Sequence, residues 1–316
     1  MEDNNMRVPL RTRQTMKRTT KWLPVLIGAL ALSGCDDWSW RDFFTGESGR
    51  GELTLALTDG PVDDAEEVVI QLRGLELHPA EGDTVRIEFD QAETIDLLQL
   101  QGEQSHTILS RHRIKGGEYT RVRLLIDDAS TVAGASYVTV DGSQYDLRLG
   151  ASGQTSGTRI VVPADGRADY TLDVDLRKSL TRTTSSAGDF QLTPFIRVVD
   201  TERAGSITGD VASRLMGDEN CWNTQGQRHG AAVYVFEGHN ASIRDIRRHH
   251  SDPITTAIVD PSDRTYTAGF IPPGNYTVAF TCQAGRDDPT RNSNVSFGNG
   301  VNVTVERGRS TRHDFQ

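Results

Sequence analysis

The stretch "LTLALTDGPVDDAEEVVIQLRGLELHP", Leu53 to Pro79, decides the fold class. Leu53, Leu55 and Leu57 alternate with Thr54, Ala56 and Thr58, and Val68, Ile70 and Leu72 repeat the pattern after an acidic turn. A period of two places every apolar side chain on one face of a strand and every polar one on the other. Gly74 breaks the count before Leu75 and Leu77, as a β-bulge does. The same alternation returns at Val85, Ile87 and Phe89 and at Val122, Leu124 and Ile126. Short strands bounded by Gly, Asp and Pro predict an all-β chain of antiparallel β-sandwiches. The exception is "QAETIDLLQLQGEQSHTILSR", where a short helix or turn is expected.

Composition agrees with a globular, sheet-rich protein. The chain has 316 residues, enough for two domains. Hydrophobic residues make up 36% and charged residues 25%, which excludes a disordered or membrane-embedded class. Lys and Arg number 34 against 44 Asp and Glu, a net charge of −10, and residues 1–34 are themselves basic, so the remainder is more negative still. Such a surface repels nucleic acid and argues against a nucleic-acid partner.

The N-terminus reads as a targeting segment. Basic residues 11–21 precede the apolar run "WLPVLIGALAL", Trp22 to Leu32, which is too short to span a bilayer of about 30 Å but suits a secretory signal. Leu32-Ser33-Gly34-Cys35 resembles the lipobox of bacterial lipoproteins. That resemblance implies cleavage before Cys35, a diacylglycerol thioether on its sulfur and acylation of the freed amine. Membrane attachment through the anchor follows, since two or three acyl chains hold where one does not. Translation is expected to start at Met16, because "MKRTTKWLPVLIGALALSGC" has the length of such a signal. Asp36 resembles the inner-membrane retention signal of enteric bacteria; other genera read other positions, so inner and outer membrane stay open. Trp38, Trp40, Phe43 and Phe44 follow, placed either to rest at the headgroup level or to pack on the first domain.

Several ordered blocks carry a further resemblance. The opening stretch, "ETIDLLQLQG", "GGEYTRVRLLID", "DVDLRKSL" and "FQLTPFIRVVD" are similar to the bacterial lipoprotein family built on domain of unknown function 4382. It implies an extracytoplasmic sandwich domain and no established activity. From "GSITGDV" onward, "AAVYVFEG", "TYTAGFIPPGNYTVAFTC" and "VNVTVERGRSTRHDF" resemble a carboxypeptidase regulatory-like or prealbumin-like sandwich. In "PPGNY" Pro273 sets a turn and Gly274 can supply a positive φ; "KGGEY" places Tyr119 where this motif has Tyr276. The expected organisation is a lipoprotein signal peptide at 1–34, a lipidated tether at 35–50, and Ig-like or prealbumin-like domains at 51–202 and 203–316.

Candidate chemistry is sparse. Cys221 and Cys282 are the cysteines left after Cys35, and in an oxidising periplasm they read as a disulfide; closing about 60 residues contributes roughly 4 kcal/mol. Asp59, Asp63, Asp64, Glu66 and Glu67 crowd one turn and could hold Ca²⁺, although the spacing is not that of an EF-hand and a solvated acidic turn accounts for it equally. His239, Asp245, His249 and His250 could ligate zinc or copper, but Arg244, Arg247 and Arg248 oppose a dication there. No Gly-x-Ser-x-Gly elbow, His-Glu-x-x-His helix or P-loop occurs. Residues 205–316 contain no Lys, which excludes a Lys–Asn isopeptide crosslink in the second domain. The expectation is a non-enzymatic, cofactor-free, lipid-anchored envelope protein of a Gram-negative bacterium, facing the periplasm or the surface and binding a protein or glycan. The alternatives are a carbohydrate-binding or carbohydrate-active accessory protein, for which Trp222 and the scattered tyrosines are the available aromatics, and a Ca²⁺-dependent adhesion module.

Overall fold

The computed structural model describes residues 49–316 except 64, 130–131, 133–134, 151–153, 158, 184–188, 218, 222–229 and 248–251. Ser48–Gln316 form one compact unit. In chain order the strands are β1 (Arg50–Gly60), β2 (Glu67–Pro79), β3 (Val85–Asp96), β4 (His106–Lys115), β5 (Gly117–Ile126), β6 (Tyr137–Val140) and β7 (Ser143–Leu149). Then come β8 (Gln154–Gly157), β9 (Ile160–Val162), β10 (Arg167–Asp175), the four-residue helix α1 (Leu176–Ser179), β11 (Leu180–Arg182), β12 (Phe190–Leu192) and β13 (Phe195–Asp200). The last group is β14 (Gly205–Asp210), β15 (Ala232–Glu237), β16 (Thr255–Ile258), β17 (Thr265–Ile271), β18 (Gly274–Thr281), β19 (Val301–Val305) and β20 (Ser310–Arg312). Among the described residues no helix is long and apolar enough to cross a membrane.

Four sheets make the two sandwiches. Sheet I runs β4-β1-β10-β13-β8 and sheet II runs β11-β12-β7-β6-β2-β5-β9, with β3 paired to β2. Leu53, Leu55 and Leu57 of β1 and Val68, Ile70 and Leu72 of β2 close on each other in a first core that extends to Val198. Sheet III runs β17-β14-β20 and sheet IV runs β16-β15-β18-β19, around a second core from Ile207 to Phe315. Strand β15 is buried on both faces, because Tyr234, Phe236 and Ala232 pack outward against Ile246, Ala279 and Ala284.

The sheets are mixed, which alternation does not encode. β1 lies parallel to β10, β8 to β13, β7 to β12 and β14 to β20, while the remaining pairs are antiparallel as expected. Parallel neighbours need long crossover connections, and residues on one face look alike whichever way the neighbour runs.

Local signals fare better. Gly74 sits at a register shift against both β3 and β5 with φ +153°, and a Cβ there would lie 2.1 Å from the Ile87 carbonyl oxygen. The stretch read as helix or turn divides: Gln91–Asp96 continue β3, Leu97–Leu100 form a 3₁₀ turn, and His106–Arg111 open β4. Asp96 caps that turn, accepting from the Leu98 and Val68 N–H groups at 3.1 Å each. Gly274 needs no positive φ and opens β18; the left-handed residue of this turn region is Phe270, at φ 51°. Tyr119 and Tyr276 are true counterparts, each hydroxyl donating at 2.7 Å to the carbonyl four residues upstream, Lys115 and Pro272. Such a tyrosine corner ties a strand to the loop that enters it.

In urea denaturation, Gly74→Ala is expected to cost about 2–4 kcal/mol through the forced contact with Ile87. Tyr119→Phe and Tyr276→Phe are expected to cost about 1 kcal/mol each; equal midpoints for native and Phe variants would refute the corner role.

Candidate functional site

The segment "DVDLRKSL", Asp173–Leu180, ends β10 and forms α1. Asp175 caps the helix, its Oδ1 accepting from the Lys178 N–H at 3.0 Å, while Leu176 anchors it in the first core. This short turn drives Arg177 and Lys178 inward, each only 2% exposed, against the second core. The Arg177 guanidinium pairs with Asp63 at 2.6 Å and donates to the Thr256 hydroxyl at 3.2 Å and the Ala284 carbonyl at 2.8 Å. Lys178 pairs with Asp175 at 2.8 Å, donates to the Pro253 carbonyl at 2.6 Å and lies over the Phe195 ring. Arg197 of β13 grips Asp173 and donates to the Phe270 carbonyl at 2.7 Å. The pattern is threefold: a carboxylate and a cation from the first core, then a backbone carbonyl from the second. Phe270 is the residue with the left-handed backbone, so Arg197 holds the carbonyl of a strained position. Beside it the backbones close up, since a Cβ on Gly269 would lie 2.0 Å from the Gly102 oxygen.

A fourth carboxyl belongs to this set. Asp59, at the buried end of β1, has its pKa raised well above 3.8, first by burial and then by Asp173 and Asp175. Burial also lifts Asp173, although Arg197 works against the rise. Burial beside two further carboxyl groups disfavours a charge on Asp59, so it is the member of this set that gains least from ionising. Next to it, the Tyr234 hydroxyl donates to Asp287 at 2.8 Å, and the Ile246 N–H reaches both Asp287 oxygens at 3.1 Å. Burial pushes Asp287 up to about 6 despite these donors.

The ion pair of Arg177 with Asp63 also lines a cleft of about 820 Å³ between the two cores. Its walls are the β11–β12 hairpin and the loop Gly285–Arg291. At the mouth the Arg182 guanidinium lies over the rings of Tyr145 and Phe190, 5.1 and 5.5 Å from their centroids. Clefts between packed modules are common ligand sites, and this one offers both signs of charge beside aromatic surface.

The residues singled out by sequence disperse. Asp59 and Asp63 enter the junction, Asp64 lies outside the described residues, and Glu66 accepts from the Gly142 N–H at 3.2 Å. Glu67 accepts from the Thr139 hydroxyl at 2.9 Å. Among the described residues no group of three or more His, Cys, Asp or Glu is placed to hold a metal ion. His239 Nε2 lies 3.3 Å from the Val303 carbonyl, and His249 and His250 lie outside the described residues. Asp245 is a loop organiser: although burial opposes it, Arg247 and the N–H groups of Ser293 and Asn294 draw its pKa below the usual value. Cys221 and Cys282 form a disulfide. Cys35, Trp38, Trp40, Phe43, Phe44 and Trp222 lie outside the described residues. Arg177, Lys178 and Arg197 are the site residues that sequence reading missed. The available signal was four charges in six residues, Asp173 to Lys178, with no Gly or Pro among them to mark an exposed turn.

Residues 50–194 match the family described as Domain of unknown function (DUF4382). No protein of curated function matches the chain. Among solved structures it is similar to the Bacillus anthracis TIE protein, at 10% identity and TM-score 0.21, covering 85% of this chain and 34% of that one. It is similar to GBS52, the minor pilin of Streptococcus agalactiae, at 10% identity and TM-score 0.20, covering 83% and 94%. A third is BcpA, the major pilin subunit of Bacillus cereus, at 10% identity and TM-score 0.19, covering 84% and 99%. Scores this low carry no argument about fold or function.

Arg177→Met is expected to lose about 3–5 kcal/mol in chemical denaturation, since it strands Asp63 without its cation. A loss under about 1 kcal/mol would show the junction to be dispensable. Asp59 gives a pH test. Its folded pKa exceeds the unfolded one, so above pH 3.8 the folded state binds more protons and stability falls as pH rises. The melting temperature of Asp59→Asn minus that of the native chain should therefore grow from pH 4 to pH 8, and a difference independent of pH would refute the assignment.

Proposed function

We propose that the chain is a non-enzymatic, lipid-anchored protein of a Gram-negative cell envelope that acts as a rigid binding or scaffold module. In this reading residues 1–34 are a signal peptide, Cys35 carries the lipid, residues 35–50 form a tether, and the domains 51–202 and 203–316 present a binding surface to an envelope protein or glycan. The observation that carries it is the buried junction. The charged segment Asp173–Lys178 of the matched domain is engaged in holding the two cores together. Buried ion pairs fix one relative arrangement, because any other docking would leave a charge buried without its counterion, and a fixed arrangement is what a presenting module needs. The cleft above Arg177 and Asp63 is the candidate contact site, framed by both cores.

The aromatic side chains bear on the glycan alternative. Tyr119, Tyr170, Tyr234, Tyr266 and Tyr276 are buried, Tyr137 is half-buried, and Arg182 covers the ring of half-buried Tyr145. The described tyrosines thus offer no row of open rings for a sugar, which favours a protein partner.

Radiolabelled palmitate fed to cells is expected to label the native chain and not Cys35→Ala, and the variant should leave the membrane fraction. Unlabelled native protein, or a variant that stays with membranes, would overturn the anchor. In-cell crosslinking tests the binding role: native chain and Arg182→Ala should differ in the partner recovered, and identical recovery would remove the cleft from the proposal.

A further inference from the structure

The outer face of sheet II carries a second arrangement that shares no lining residue with the cleft. The register sets Arg86, Glu76 and Arg123 side by side across β3, β2 and β5, with His78 and Arg121 as the neighbouring pair. Glu76 serves two arginines, Arg86 at 2.8 Å and Arg123 at 3.4 Å, and Glu88 meets Arg86 at 2.7 Å. Arg73 pairs with Asp127 at 3.5 Å. Arg121 has no carboxylate within ion-pair reach among the described residues; its Nη2 lies 3.4 Å from His78 Nδ1, which the Thr84 hydroxyl approaches at 3.0 Å.

A guanidinium has only donors, so His78 Nδ1 accepts and the imidazole proton resides on Nε2. Burial and then Arg121 lower the His78 pKa, with Glu76 opposing them and Arg123 adding to them. Arg86, Arg121 and Arg123 therefore share two carboxylates, leaving one positive charge unmatched on a chain whose net charge is −10. Arg73, His78, Arg86, Arg121 and Arg123 together line a groove of about 330 Å³. Arg121 and Arg123 stand two positions apart on one strand, hence about 7 Å apart, on a rigid framework that fixes where their forks point.

We propose that this groove binds oxyanion groups, phosphate or carboxylate, through Arg121 and Arg123, with Arg86 completing the positive rim. A guanidinium reads either group through two parallel N–H bonds, and a ligand carrying two neighbouring oxyanions spans both arginines. The site is independent of the cleft and of the lipid anchor.

The test is titration calorimetry of the full chain in detergent with inorganic pyrophosphate, citrate and dihexanoyl phosphatidic acid. At least one is expected to bind, about tenfold more weakly to Arg121→Gln and Arg123→Gln and unchanged with Arg203→Gln, which alters an exposed turn elsewhere. Both groove arginines are exposed, so the variants keep the fold. Tightest binding of pyrophosphate assigns a soluble phosphate, of citrate a carboxylate, and of the lipid a headgroup. No binding by any probe, or equal binding by native chain and groove variants, overturns the proposal.

Discussion

Three cations of the first core reach across to three carbonyl oxygens of the second, and the rest of the molecule is arranged to permit it. Arg177, Lys178 and Arg197 each leave water, which is costly unless charge and hydrogen bonds are both supplied. Asp63, Asp175 and Asp173 supply the charge, and Ala284, Pro253 and Phe270 supply the acceptors. This explains why β10 is buried along nearly its whole length, and why a four-residue helix interrupts a chain of strands at that point. It also explains why the backbones of Gly102 and Gly269 touch. The net stabilisation from such pairs is small, because desolvation offsets attraction; their effect is to make any other docking leave a charge unpaired.

Around this junction each sandwich is secured in its own way. The first core relies on leucines and valines from β1, β2 and β5, with the Gly74 bulge letting β2 pass close to β3. The second is smaller and carries the disulfide, joining β18 to the segment near Met216. Both use a tyrosine hydroxyl on the carbonyl four residues back, a local closure that needs only the right residue after a tight turn. The two proposed surfaces then separate by chemistry. The cleft is lined by residues of both cores and holds the Arg177–Asp63 pair, whereas in the sheet II groove Arg121 has no carboxylate within ion-pair reach among the described residues.

The acidic turn shows how local density misleads. Asp59, Asp63, Glu66 and Glu67 are close in sequence, yet a strand end, a loop and a second strand send them to different partners. Neighbours along an extended chain point to opposite faces, so crowding in sequence is not convergence in space. The cysteine pair was legible, because only one pairing was open once Cys35 was set aside. In the histidine stretch, where the arginines already spoke against a dication, Asp245 turns to Arg247 and the backbone of Ser293.

By itself the sequence determined the alternation of β1, β2 and β5, the face each turns inward, the bulge at Gly74 and the matched tyrosines, because these depend on neighbours within a few residues. Tertiary structure alone decided that β1 lies parallel to β10, and that Arg177, flanked by Asp175 and Lys178, would end on Ala284, 107 residues away. The physical reason is the range of the forces that select them. Side-chain alternation is fixed by backbone geometry at every residue, whereas the partner of a buried charge is chosen by whichever distant group can complete its hydrogen bonds once water has been excluded.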